Sequence, residues 1–363
     1  MMRTIEQAGE VRGKRILMRV DFDVPIADGT ITEAFRIERQ RAQVHALVGA
    51  GARVCMIAHI AAQPSFRSLQ PALQDILGMP FRFLGSIDEL GEFWAGDEPL
   101  ALLENLRSWP GEEADDDAFA RQLAANADLF VNNAFAVSHR PHASVVGLPR
   151  LLPAYAGMLV AEEVRQLERI LSAPAEGKAV FIGGAKGATK TPVIRHLINS
   201  SETIAVGGVV ANDILKVRGE DIDASQVDAN AAELLSGVDI RDHRLLVPED
   251  NVRDDGRIMD IGPKTADRFA QVARSAAIAV WNGPMGKFED PRFLAGSRIL
   301  AEALAASTGF TVIGGGDTIA AVAACGIPLE RFGHVCTGGG AMLAFLAGES
   351  LPGLAALDQS DAN

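Results

Sequence analysis

Short apolar runs alternate with longer stretches of helical spacing along most of the chain. Lys14–Phe22, Ala52–Ala58, Leu100–Leu106 and Asp128–Phe135 read as buried strands, and Arg36–Val48 reads as a helix. Near-continuous apolar strands separated by helices imply a parallel sheet covered on both faces. Val160–Leu171 has helical spacing, good helix formers and no glycine or proline inside, and after it the alternation restarts. Further strands follow near Val180, Ile204, Leu245, Ile278, Thr311 and Val335. The fold class predicted is α/β, in two three-layer domains with parallel sheets and a helical hinge between them. The boundaries are 1–158 for the first domain, 159–347 for the second and 348–363 for a C-terminal tail.

Several strands of the second half run into glycine turns. Phe310-Thr-Val-Ile-Gly-Gly-Gly-Asp-Thr-Ile-Ala320 is the fullest case, with parallels at Val180–Lys190, Ile204–Gly208 and Val335–Gly340. Glycine allows close backbone approach to a ligand. The free N–H groups of a first helical turn favour an anion such as phosphate. Asp317 is either an N-cap or a ligand for a Mg²⁺ that a phosphate also binds. Ligands of open α/β sheets sit outside the carboxyl ends of the strands, so the turns point to one nucleotide-sized site.

The first half places cationic and protonatable groups at the ends of its strands. Arg19 and Asp21 belong to the first strand, Arg36 opens a helix, and His59 follows the second strand. Arg107 follows Leu103–Leu106, and His139, Arg140 and His142 follow Val131–Phe135. Each read singly is an ordinary surface or structural group. Together they suit a small polyanion carrying phosphate or carboxylate. Lys186 and Lys190, beside a glycine turn, suit phosphoryl oxygens, while the stretch Gly183–Lys190 lacks the P-loop pattern. One half thus reads as an anion domain and the other as a nucleotide domain, which suggests phosphoryl transfer with water excluded by closure. The absence of a Ser/His/Asp order or a kinase catalytic loop fits a carboxylate acceptor, already ionised at neutral pH.

Composition narrows the picture. The 363 residues are 48% apolar and 22% charged, with a net charge of −13 and a pI near 5.0. That composition is globular and argues against general affinity for nucleic acid or anionic membranes. Cys55, Cys325 and Cys336 have no metal-ligand spacing. The N-terminus carries no apolar signal core and no apolar run has membrane-spanning length, so a soluble cytoplasmic protein is expected.

Longer motifs carry a resemblance. Leu103-Glu-Asn-Leu-Arg-Ser-Trp-Pro-Gly-Glu-Glu113, His139-Arg-Pro-His-Ala-Ser144, Gly183-Gly-Ala-Lys186, Asp260-Ile-Gly-Pro-Lys-Thr265, Trp281-Asn-Gly-Pro-Met-Gly286 and Gly314-Gly-Gly-Asp-Thr318 occur in this order. The chain resembles the phosphoglycerate kinase family from about Lys14 to Leu357. The resemblance implies two Rossmann-like domains and reversible transfer between 1,3-bisphosphoglycerate with MgADP and 3-phosphoglycerate with MgATP, in glycolysis and gluconeogenesis. It implies a monomer with no nucleic-acid or membrane partner. On the family pattern Arg19, Asp21, Asp23, Arg36, His59, Arg107, His139, Arg140 and His142 bind the phosphoglycerate. Gly184, Ala185, Lys186, Lys190, Gly208, Asn282, Pro284 and Glu289 line the nucleotide site, continued by Gly316, Asp317 and Thr318. Arg36 and Lys186, helped by Gly315 and Gly339, stabilise the transferring phosphoryl group, and Asp317 engages the Mg²⁺.

The chain also departs from that pattern. Asp23 stands where the family usually has Asn, and Ala62 or Gln63 stands near a usual arginine. Thr189 replaces an aspartate, and Gly207-Gly-Val-Val-Ala211 replaces Gly-Gly-Gly-Met-Ala. The first change adds negative charge to the acceptor patch and the second removes positive charge from it. They leave two alternatives: a kinase of this fold with another carboxylate acceptor, or a nucleotide-binding regulator without turnover.

Overall fold

The computed structural model describes residues 2–359 and forms two compact units. One runs through Arg165 and takes up the chain again from Ser350; the other is Gln166–Glu349. The division falls inside the helix Met158–Ser172, the segment whose spacing predicts a connector.

The first unit holds β1 (Arg15–Arg19), a short hairpin of β2 (Ile26–Ala27) and β3 (Thr30–Ile31), then β4 (Arg53–Ile57), β5 (Arg82–Leu84), β6 (Leu100–Leu103), β7 (Leu129–Asn132) and β8 (Ala154–Ala156). Six of these form a parallel sheet in the order β5-β6-β4-β1-β7-β8. Ile16, Leu17 and Met18 are fully buried, because apolar helices and loops cover both faces of the central strand. Arg19 pairs in register with Ile57 on one side and Asn132 on the other. The segments after these three residues therefore leave the same edge of the sheet, where the chain order reverses beside β1.

The predicted helix Arg36–Val48 is interrupted. Phe35–Glu38 and Arg41–Gly49 are separate helices. At the break Gln40 N–H donates to Ile37 O at 3.0 Å, a three-residue turn. The fully buried Gln40 side chain holds it there, donating to Arg36 O and accepting from Asn133 Nδ2 at 2.8 Å.

The second unit holds β9 (Lys178–Ile182), β10 (Thr203–Val206), β11 (Leu245–Leu246), a hairpin of β12 (Asn251–Asp254) and β13 (Arg257–Ile261), then β14 (Ile278–Asn282), β15 (Phe310–Gly314) and β16 (His334–Cys336). Its parallel sheet runs β11-β10-β9-β14-β15-β16. In chain order this is third, second, first, fourth, fifth, sixth, the doubly wound arrangement whose ligand crevice opens where the order reverses. Ile182 pairs with Val206 and with Asn282, Asn282 with Gly314, and Gly314 with Cys336. One register line thus ends five strands, and the glycine turns that follow share one edge.

The C-terminal helix Pro352–Gln359 belongs to the first unit. Gly353 N–H donates to Ser138 O at 2.9 Å, and Leu351 and Leu357 are buried. A Cβ on Gly353 would stand 2.7 Å from Val145 Cγ1, so the approach requires glycine.

Candidate functional site

In the first unit the segments after β1, β4, β6 and β7 bring the predicted cationic residues together. Arg19 is fully buried. Its Nε donates to Ser144 Oγ at 3.0 Å and Nη1 to Val20 O at 2.6 Å, while Nη2 lies 2.9 Å from His59 Nδ1. Glu112, also fully buried, accepts from Ser144 N–H at 2.9 Å and from Ser144 Oγ at 2.5 Å. A buried carboxylate thus faces the buried guanidinium through one serine, the pairing that an interior charge requires. Arg19 is fully engaged inside the protein, which places it behind the site rather than on its surface.

An arginine only donates, so Nδ1 of His59 must accept and its proton sits on Nε2. That Nε2 lies 3.5 Å from Asp23 Oδ2. Burial lowers the pKa of His59, against the opposing pull of Asp23, so the ring is neutral at pH 7. Asp23 Oδ1 accepts from Ala61 N–H at 2.8 Å. Burial alone would raise the Asp23 pKa, but the hydrogen bonds from His59 and Ala61 and the charge of Arg36 hold it well below the usual carboxylate range. Arg36 donates to Asp23 O at 2.8 Å and has Nε 3.7 Å from Asp21 Oδ2. That Asp21 oxygen is buried and has no hydrogen-bond partner.

Arg107 pairs with Glu113 and, with Arg140, is part-exposed. Arg140 Nη1 lies 3.4 Å from His59 Nε2. His139 is held below its ordinary pKa by burial and by Arg140, and its Nδ1 has no partner. His142 is lowered to about 4, by burial first and then by Arg107 and Arg140. The histidines are therefore neutral, and Arg36, Arg107 and Arg140 supply the accessible positive charge.

Sequence reasoning singled out neither Glu112 nor Asn105. Asn105 is buried and ties two segments together, donating to Ile60 O at 2.9 Å and Gln63 O at 3.0 Å while accepting from Arg107 N–H. Both lie within the quoted Leu103–Glu113 motif, where a polar residue directly after an apolar strand was the available signal.

In the second unit the glycine turns wall a cavity of about 530 Å³. Gly184 N–H donates to Pro284 O at 2.7 Å and Gly208 N–H to Met285 O at 3.0 Å, so turns from three strands are laced by backbone bonds. A Cβ on Gly183 would meet Pro284 O at 2.1 Å, and Gly208 has φ +58° with Gly184 O 2.6 Å from its missing Cβ. No side chain fits at either place. Gly184, Ala185, Gly208, Pro284, Glu289 and Asp317 all line this cavity.

Beside it, Lys190 is buried and its Nζ reaches Asn282 Oδ1. Burial lowers the Lys190 pKa to about 8, against the opposing charge of Asp317. Asn282 Nδ2 donates to Gly314 O at 2.8 Å. Thr318 is buried; its hydroxyl accepts from Gly283 N–H at 2.7 Å and donates to Gly314 O at 2.8 Å. With the hydroxyl so engaged, an anion contact at Thr318 falls to its backbone N–H in the first turn of the helix Gly316–Ala324. Gly315 has φ +99°, and a Cβ on Gly339 would stand 2.5 Å from Gly315 Cα, so these two backbones are adjacent. Lys186 is exposed at the start of the turn Gly187–Thr189. Asn212, which also lines the cavity, carried no sequence signal.

Among the described residues no three His, Cys, Asp or Glu side chains converge as a metal cage. Asp317 is an exposed carboxylate on the cavity. That donor set fits Mg²⁺, which binds through one or two carboxylates together with substrate phosphates and water. Among the described residues no helix is long and apolar enough to cross a membrane.

A doubly wound unit with a glycine-turn cavity, in one chain with a unit that clusters arginines at its sheet edge, defines an α/β phosphotransferase. A family model described as phosphoglycerate kinase matches residues 5–349. The phosphoglycerate kinase of Streptomyces avermitilis is 38% identical, with 98% of this chain and 100% of that protein covered. That of Salinispora tropica is 39% identical, with coverage of 98% and 99%. The solved structure of phosphoglycerate kinase from Pyrococcus horikoshii superimposes with a TM-score of 0.87 at 28% identity, over 99% of both chains. The chain belongs to the phosphoglycerate kinase family, whose members transfer a phosphoryl group to or from a carboxyl group.

Proposed function

We propose that the first unit binds 3-phosphoglycerate or 1,3-bisphosphoglycerate and the second binds MgATP or MgADP. The observation that carries this reading is the glycine-turn cavity at the reversal point of the second sheet, with Asp317 on its wall. Arg36, Arg107 and Arg140 hold the acceptor's anionic groups, and the Oδ2 of Asp21, which has no hydrogen-bond partner, accepts from its hydroxyl. Arg19 acts behind them by fixing the His59 ring. Lys190 and the first-turn amides of Gly316–Thr318 hold phosphates, and Asp317 holds Mg²⁺, which would supply charge neutralisation between phosphate oxygens. Arg36 and Lys186, with the Gly315 and Gly339 backbones, neutralise charge on the transferring phosphoryl group. The acceptor carboxylate is ionised at pH 7, so no general base is assigned.

The test is ADP formation from MgATP with and without 3-phosphoglycerate, with the acyl phosphate drawn off by a coupling enzyme. Strong dependence on 3-phosphoglycerate is expected. Turnover indifferent to it, alongside measurable MgADP binding, overturns the acceptor assignment.

A further inference from the structure

The cavity of the second unit contains one polar side chain whose bonding is half complete. Asn212 lies near the start of the helix Gly208–Arg218, directly after the Gly207–Gly208 turn, and lines the cavity with only 4% of its surface exposed. Its Nδ2 donates to Gln226 O at 3.0 Å. A backbone carbonyl only accepts, so this bond fixes which way the amide points. The oxygen is then the atom on the other side, and Asn212 Oδ1 is buried with no hydrogen-bond partner. A buried amide acceptor with no protein partner is costly and calls for an explanation, and on the wall of a cavity a bound ligand supplies one.

The neighbouring walls say what kind of group completes it. Val209, Ala224, Met285 and Phe288 give the cavity apolar surfaces suited to a flat heteroaromatic ring, while Asp260, Glu289 and Asp317 supply its carboxylates. A mostly apolar pocket with a few placed polar groups is the usual form of a small-molecule site, and the polar groups set its selectivity. We infer that Asn212 reads the base of the bound nucleotide, with Oδ1 accepting the exocyclic amino group of adenine and disfavouring purines that carry a carbonyl there. A 6-oxo purine sets oxygen against oxygen and leaves the Asn212 acceptor unpaired. Sites built around such a buried polar group reject the analogue that lacks its partner far better than apolar pockets reject a missing methylene. The inference rests on the reading of this cavity as the nucleotide site.

The test compares ADP with IDP, which replaces the 6-amino group by an oxygen. Affinities of both are measured by titration calorimetry with Mg²⁺ at pH 7.5, for the unaltered protein, for Asn212→Leu and for Asn212→Ser. The serine variant is small and polar where the leucine variant is large and apolar, so agreement between the two guards against an effect of altered packing. The unaltered protein is expected to bind ADP about ten- to a hundredfold more tightly than IDP. Both variants are expected to bring that ratio close to one, by weakening ADP and sparing IDP. Equal binding of ADP and IDP by the unaltered protein, or a ratio that survives both substitutions, overturns the base-reading role and leaves the nucleotide site standing. Binding of neither nucleotide by the unaltered protein overturns the nucleotide site, and this inference with it.

Discussion

The buried guanidinium of Arg19 sits 2.9 Å from Nδ1 of His59, and this contact sets the charge of the patch in front of it. Because Arg19 donates, the neutral ring turns its Nε2 proton toward Asp23, whose carboxylate stays ionised among the arginines. Asp23 therefore subtracts from the potential that draws in an anionic acceptor. Asp23→Asn keeps an oxygen for the Ala61 N–H and removes the charge. The KM for 3-phosphoglycerate is expected to fall about three- to tenfold, with kcat little changed, and the gain is expected to shrink at high salt. A KM that rises instead would mean that the carboxylate itself is needed to orient His59.

Lys190 gives the nucleotide site a pH dependence. Burial lowers its pKa to about 8, so above that pH the unliganded lysine is neutral and offers phosphate no charge. Nucleotide binding favours the ammonium and must take up a proton there. ADP affinity is expected to be level between pH 7 and 8 and then to fall, by at most about tenfold per pH unit. In Lys190→Met the affinity at pH 7 is expected to be about ten- to a hundredfold weaker, and the fall above pH 8 to be absent. Calorimetry in buffers of differing ionisation enthalpy reads the proton uptake directly.

A carboxylate pair beneath the Gly187–Thr189 turn predicts a stability effect. Asp213 Oδ2 and Asp228 Oδ2 each stand 2.4 Å from where a Cβ on Gly187 would be, so they lie within twice that distance of each other. Asp213 Oδ1 also accepts from Asp228 N–H at 2.8 Å. Burial, and then the charge of Asp228, raises the Asp213 pKa to about 6. Between the unfolded value near 3.9 and about 6 the folded protein holds a proton that the unfolded chain has lost, so stability falls as pH rises through that window. Asp213→Asn keeps the acceptor and removes the charge. Its Tm at pH 7.5 is expected to exceed that of the unaltered protein by a few degrees, with the difference narrowing toward pH 4.5. A constant difference across that range would rule out the raised Asp213 pKa as its cause.

Parts of this architecture were legible because side-chain pattern and burial coincide. Ile16–Met18 and Val180–Phe181 are apolar on both faces, and both proved to be central strands. The edge strand Arg82–Leu84 and the three residues Ala154–Ala156 are too short to show a period. The two hairpins do carry a sequence signal: Asp28-Gly29 and Asp255-Gly256 both take positive φ, the Asp-Gly signature of a tight hairpin turn. Among site residues, cations such as Arg36 and Lys186 stand out against an acidic chain. Whether an arginine faces ligand or core is a tertiary fact, which is why the burial of Arg19 against Glu112 and Ser144 was hidden. Asn212 was hidden for the same reason, since an unpaired acceptor exists only once its neighbours are in place.

Lys186 separates transition-state stabilisation from folding. Its side chain is exposed, unlike that of Lys190, so its removal strands no buried partner. In Lys186→Ala the Tm and the affinity for ADP are expected to stay close to those of the unaltered protein. If its charge meets the phosphoryl group mainly during transfer, kcat falls by about 10²- to 10³-fold, the range for removing one preorganised positive group or donor. An equal fall in kcat and kcat/KM would assign the contact to the transition state. A rise in KM at constant kcat would assign Lys186 to ground-state binding, and the transfer role would pass to Arg36 and the Gly315 and Gly339 amides.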